Sequence, residues 1–246
     1  MDRMLYIAAD GASQIQTAQA VNANNLANAS TTGFKAQFEA LRALPVYGPG
    51  HASRVHAMTE VSGVDYSPGS LMATGRSLDV AVNGEGWIAV QAPDGSEAYT
   101  RAGDLRVSAT GILETGAGHP VLGDGGPISI PDAQELEIAA DGTVSVLPIG
   151  QAPSTMAVVG RIKLVNPVQG EMQKGGDGLL RLADGATAPP DANVRMASGV
   201  LESSNVNTIQ ALTTMIHLAR QFETQVKLMK TAEETDAASA KLMNMS

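Results

Sequence analysis

The chain has 246 residues, enough for one substantial domain or two smaller ones at roughly 100–200 residues each. Its 16 Lys+Arg against 25 Asp+Glu give a formal net charge of −9, which argues against a nucleic-acid backbone or an anionic membrane surface as main partner. With 43% hydrophobic and 17% charged residues it does not read as a disordered chain. No apolar run reaches the ~18–20 residues of a spanning helix, so no membrane insertion is expected. Aromatics make up 3%, so a core must come from Ala, Val, Ile, Leu and Met. There is no cysteine, which excludes disulfides, thiolate metal sites and thiol nucleophiles.

The N-terminal apolar stretch is too short for a secretory signal, and taken alone it would place the chain in the cytoplasm. Leu5, Ala8, Ala12, Ile15, Gln19, Asn22 and Leu26 are spaced alternately three and four apart, a heptad seam with small residues that admit a close partner helix. Asn22 on that seam either fixes register or sits at an exposed helix end. Asn22, Asn25 and Asn28 recur every three residues on one face, and Gly33 offers the backbone freedom to end the helix. A further short helical stretch is expected from Phe34 to Leu44 before Pro45.

All 12 prolines fall between Pro45 and Pro190, and of 26 glycines only Gly11 and Gly33 precede Pro45 while none follows Gly199. Both ends can therefore be helical and the middle cannot be continuously so. Leu78–Val82 alternates into Asn83-Gly84, a tight-hairpin signal before Trp87–Val90. A turn at Asp94-Gly95 leads to Ala98–Thr100. Val144–Val146 and Arg161–Val165 lie among later turns at Asp124-Gly125, Asp141-Gly142 and Asp184-Gly185. This is an antiparallel β region with no βαβ unit and no repeat. Tyr99-Thr100-Arg101, in isolation, is an ordinary surface strand with a long cation.

Ser204 to Ser246 lacks both Gly and Pro, with Ser204 or Asn205 as the expected N-cap. Ile209, Leu212, Ile216, Ala219, Phe222, Val226 and Met229 form a stripe at helical spacing, and Glu223 and Lys227 are ordered for an i,i+4 pair. Helical throughout, the segment would be roughly 60 Å long. Packing on its own sheet is one reading. Pairing of the two ends, in one chain or between chains, satisfies both amphipathic stripes and is preferred.

No catalytic chemistry is displayed. His51, His56, His119 and His217 show no metal-ligand spacing, and the Gly-rich stretches at 122–126 and 174–178 lack the Lys-Ser/Thr and helix of a phosphate loop. No GxSxG elbow occurs, and most carboxylates sit in turn dipeptides. Neither a catalytic residue, a metal nor a cofactor is expected, and the chain is not read as an enzyme.

One stretch is too particular for composition: Asn22-Ala23-Asn24-Asn25-Leu26-Ala27-Asn28-Ala29-Ser30-Thr31-Thr32-Gly33-Phe34. It resembles the N-terminal signature of the bacterial flagellar rod, hook and hook-filament junction family, carried here by Asn25, Leu26, Ala27, Asn28, Thr31, Gly33 and Phe34. Ser77 to Trp87, Tyr99 to Asp104, Ser204 to Asn207 and Ala219 to Glu223 extend the resemblance along nearly the whole chain. Within the family, Leu44-Pro45-Val46-Tyr47-Gly48 and the short β region look most like the proximal-rod member.

The resemblance implies an α+β chain: N- and C-terminal helices pairing as a coiled-coil-like helical domain, with an intervening antiparallel all-β domain. The expected division is 1–44 N-terminal helical rod segment, 45–70 extended connection, 71–198 β domain and 199–246 C-terminal helical rod segment. The implied function is a structural subunit of the proximal rod, with Leu5, Ile15, Leu26, Ile209, Leu212, Ile216, Phe222 and Val226 forming the helix-pairing seam. Implied partners are copies of itself and other rod proteins, and in transit the type III export apparatus. The implied location is the basal-body rod in the periplasmic space, reached without a cleaved signal. A distal rod subunit is the near alternative; a β-domain module binding carbohydrate or peptide is the alternative from another class.

Overall fold

The computed structural model describes residues 2–45, 55–150 and 156–243. His51 and, of the Leu44–Gly48 segment, Val46, Tyr47 and Gly48 lie outside them. The chain is α+β and separates into two compact units. The helical unit comprises Met1–Ala27, Gln37–Gly63 and Val206–Ser246, and the strand unit Asn28–Ala36 and Val64–Asn205.

In the helical unit, α1 spans Asp2–Ala27 and α2 spans Thr208–Met243, and the two pack together. Asn207, rather than Ser204 or Asn205, caps α2: its Oδ1 accepts from the amides of Ile209 and Gln210, each at 3.1 Å. Gly11 lies against Gln225, where an added Cβ would stand 3.2 Å from its amide, and Asn22 Nδ2 donates to the Ala211 carbonyl at 2.9 Å. Advancing along α1 therefore means moving backward along α2, and the helices are antiparallel. At 36 residues against 26, α2 runs roughly two turns past the start of α1.

The short helix expected from Phe34 to Leu44 is instead strand: Gln37–Pro45 pairs with Val55–Val64. Helix α1 ends at Ala27, six residues before Gly33, and Asn28–Ser30 form turns. Asn25 explains the new direction. Its side-chain amide donates to the Gln37 carbonyl and accepts from the Gln37 amide, both at 2.9 Å, holding that backbone extended as a neighbouring strand would.

The strand unit contains an antiparallel five-stranded sheet in the order Leu164–Val165, Trp87–Gln91, Glu97–Thr100, Leu180–Leu182, Met172–Lys174. A three-stranded antiparallel sheet runs Ala133–Ile138, Thr143–Pro148, Ala157–Arg161. Four antiparallel ribbons and the 3-10 turn Gln169–Glu171 complete the described strand unit. The Asn83-Gly84 hairpin does not form: the chain turns there, yet Val80–Asn83 takes Arg195–Ser198 as its partner. That distant pairing places Val82 opposite Met196, both buried, which a local hairpin could not supply. The expected strand Arg161–Val165 is split between two sheets.

Trp87 to Val90 is buried at every position because its sheet is covered on both faces. Ile88 and Val90 join Val80, Leu105, Leu113, Val121 and Val144 in one cluster, while Trp87 and Ala89 join Tyr99, Val165 and Leu180 in a second. Tyr99 ties the second cluster down: its hydroxyl accepts from the Ala188 amide at 2.6 Å and donates to Glu97 at 2.9 Å. Burial pushes that phenol up to about 12.

Candidate functional site

On α1, Ala8 and Ala12 are buried, Ile15, Gln19, Asn22 and Leu26 half-buried, and Leu5 is 40% exposed. On α2 the buried or half-buried line is Ala211, Met215, Leu218, Phe222, Gln225, Met229 and Ala232, spaced alternately four and three apart. It shares Phe222 and Met229 with the stripe read from the sequence. Ile209, Leu212, Ile216 and Val226 fall elsewhere on the helix and are 77%, 50%, 55% and 42% exposed. Small residues set this geometry. Alanines and Gly11 let the backbones approach, and their modest size is what kept Ala211 and Ala232 from standing out as a stripe.

With Tyr6 and Ile7 also exposed, α1 and α2 each present large apolar side chains away from their mutual contact. Burying one such side chain is worth roughly 1.5–3 kcal/mol, so these are candidate contact surfaces rather than random exposure.

The second feature is the signature segment, which the chain boundary splits. Asn25, Leu26 and Ala27 belong to the helical unit; Asn28, Thr31, Gly33 and Phe34 belong to the strand unit. Asn28 receives both the amide and the hydroxyl of Thr31 at 3.2 Å, closing the turn after α1. Gly33 has φ +65°, and a Cβ there would stand 2.1 Å from the Arg101 carbonyl carbon. Its freedom serves this close backbone approach and not the helix end. The Gly33 amide donates to the Glu202 carbonyl at 2.8 Å, and Thr32 Oγ1 to Asp104 at 3.2 Å.

Beneath this segment lies a buried charge cluster. Lys35 Nζ contacts Glu202 Oε1 at 2.6 Å and donates to the Ser67 carbonyl at 2.8 Å. The Gly69 amide also donates to Oε1, and Arg101 Nη1 donates to Oε2, both at 3.0 Å. Arg101 further donates to the Val82 and Gly84 carbonyls, and its guanidinium lies 5.0 Å from the Trp87 ring centre. The three side chains are 3%, 1% and 5% exposed, so Arg101 is interior and not the surface cation expected. Burial disfavours the Glu202 carboxylate, but Lys35, the Gly69 amide and Arg101 outweigh it and hold its pKa below the ordinary value. Burial holds Lys35 below its ordinary value against the pull of Glu202.

Asn205 extends the network. Its Oδ1 accepts from the Ala36 amide at 2.8 Å, its Nδ2 donates to the Asp65 carbonyl at 2.9 Å, and its own amide donates to the Phe34 carbonyl. Lys174 Nζ sits 3.5 Å from the Phe34 ring centre and donates to the Lys35 carbonyl at 2.8 Å. Burial pushes Lys174 down to about 8.

Lys35, Glu202 and Lys174 escaped the sequence reading because partners 167 residues apart leave no periodic trace. Among the described residues no cluster of three or more His, Cys, Asp or Glu could hold a metal, and no helix is long and apolar enough to cross a membrane.

Lys35, Arg101, Glu202 and Asn205 each lie in a stretch that matches a known family. Residues 5–35 match the family model "Flagella basal body rod protein", 81–146 "Flagellar hook protein FlgE/F/G D1 domain", and 197–242 "Flagellar basal body rod FlgEFG protein C-terminal". Over the whole length of both chains, it is 48% identical to the flagellar basal-body rod protein FlgF of Salmonella typhimurium (strain LT2) and 46% identical to that of Escherichia coli (strain K12). It is 33% identical to the flagellar basal-body rod protein FlgG of Bacillus subtilis (strain 168), over 95% of this chain and 96% of that one. The chain belongs to the flagellar basal-body rod protein family. It is a structural subunit of the flagellar rod and not an enzyme. Its place is the basal body, and its partners are other flagellar rod proteins.

Proposed function

We propose that this rod subunit polymerises through its terminal helices, which pair in coiled-coil fashion and bundle with those of neighbouring subunits around an export channel. The assembled shaft crosses the periplasm at the proximal rod and carries torque from motor to hook. The subunit arrives through the type III apparatus. One observation carries the reading: Ile209, Leu212 and Ile216 on α2 and Leu5, Tyr6 and Ile7 on α1 are exposed in the single chain although they are large and apolar. Such a surface costs solubility in an isolated protein and contributes contact energy in an assembly.

The absence of cysteine allows a direct test. A Leu212→Cys variant should react readily with a maleimide as the isolated chain and resist it in purified basal bodies. Equal reaction in both would remove Leu212 from any subunit contact.

A further inference from the structure

Of the first 63 residues, only Asn28–Ala36 belong to the strand unit. We propose that this nine-residue segment is a strap that closes last over an already finished β core and opens without unfolding it, with Lys35 as its lock in the Glu202–Arg101 pair. The proposal stands apart from the rod reading and needs no second chain.

Three observations carry it. The strap is held by contacts of great sequence separation: Thr32 to Asp104 spans 72 residues, Lys35 to Glu202 167 and Ala36 to Asn205 169. Much of the core instead pairs neighbours in sequence, such as Trp87–Gln91 with Glu97–Thr100, Ala133–Ile138 with Thr143–Pro148 and Met172–Lys174 with Leu180–Leu182. The strap's groove is also built without it, because Leu71–Ala73 pairs with Val200–Glu202 and so delivers Glu202 beside Gly69. Distant contacts repay their loop-closure entropy only after such elements are in place.

The strap also buries little apolar surface. Its one large apolar side chain, Phe34, is half-buried, and no strap residue is part of either hydrophobic cluster. Segments held by hydrogen bonds with few buried apolar contacts open at lower free energy than the core.

Charge balance completes the argument. With the strap off, Arg101 and Glu202 remain a neutral pair, and Arg101 keeps the Val82 and Gly84 carbonyls. Lys35 brings a third charge that can leave water only where Glu202 already waits. The core is therefore electrically complete without the strap, whereas the strap cannot bury its lysine without the core.

Hydrogen exchange on the full chain tests this. The strap reporters are the amides of Gly33, Ala36, Asp65 and Asn205, which make the bonds across the strap, and the core reporters are those of Ala89, Leu113, Val121 and Ile128. The strap set should exchange together, about 100-fold faster or more than the core set. Lys35→Met should speed the strap set by about tenfold or more and leave the core set within about twofold. Asn205→Ala, which removes strap bonds without touching a buried charge, should act the same way. A common rate for both sets, or variants that speed both alike, would overturn the proposal.

Discussion

The strand unit buries Val80, Ile88, Leu105, Leu113, Val121 and Val144 completely, whereas the helical unit buries alanines and leaves Tyr6, Ile7, Ile209, Leu212 and Ile216 in solvent. Side-chain size is thus distributed in opposite senses. In the strands, branched residues fill the interior and polar residues occupy turns. In the helices, small residues take the most buried positions and let two backbones approach, Phe222 and Met229 are half-buried, and several of the largest apolar side chains stay exposed. A unit that has spent its apolar surface inside is stable alone, and one that holds it outside is finished by neighbours.

The sharpest break of this comparison is a truncation inside each unit. Leu113→Ala removes a fully buried side chain and should lower the stability of the strand unit by about 2–5 kcal/mol. Ile7→Ala, at a position 56% exposed, should stay within about 0.5 kcal/mol. Denaturant midpoints of the two variants measure the contrast directly. Comparable losses would mean that the exposed helix residues are packed in the single chain after all.

That contrast marks how far the sequence was legible. The presence of a helix at each end, the antiparallel middle and strands such as Trp87–Gln91 and Glu97–Thr100 followed from where Gly and Pro fall and from period-two runs, whereas the ends of the helices did not. The signature segment was legible as a motif and not as a geometry. Gly33 reads as a helix terminator, but its positive φ serves the approach to Arg101, a partner that local pattern cannot name. Phe34–Leu44 reads as helix because nothing in its composition forbids one, and the strand there depends on the Asn25 side chain gripping Gln37. The line of α2 that meets α1 was read only in part. Phe222 and Met229 belong to the stripe seen in the sequence, whereas Ala211 and Ala232, its most buried positions, are small and weigh little in a periodicity that counts large side chains.

A smaller effect sharpens the comparison through pH. Lys174 sits at about 8 in the folded chain against an ordinary 10.5, so between those values the unfolded chain holds a proton that the folded one has lost. Stability contributed at this site therefore rises with pH across that window and is lowest below pH 8. Lys174→Met should abolish the rise, seen as the parent midpoint gaining on that of the variant from pH 8 to 10. Taking the difference between the two proteins cancels Tyr99, whose raised pKa acts in the opposite direction above pH 10. A gap that is flat with pH would mean that Lys174 is solvated and the Phe34 contact is open.

The central claim, that the strand unit is self-sufficient while the helices are completed by assembly, meets its most direct test at Ile216. The side chain is 55% exposed in the single chain, so Ile216→Asp should place a solvated carboxylate there and leave the melting of the strand unit unchanged. In the rod the same carboxylate would have to leave water without a partner, at a cost of several kcal/mol. Melting of the purified variant, read alongside its presence in isolated basal bodies, is the measurement. The account predicts unaltered melting and no incorporation, with non-motile cells. Normal incorporation and motility would contradict it.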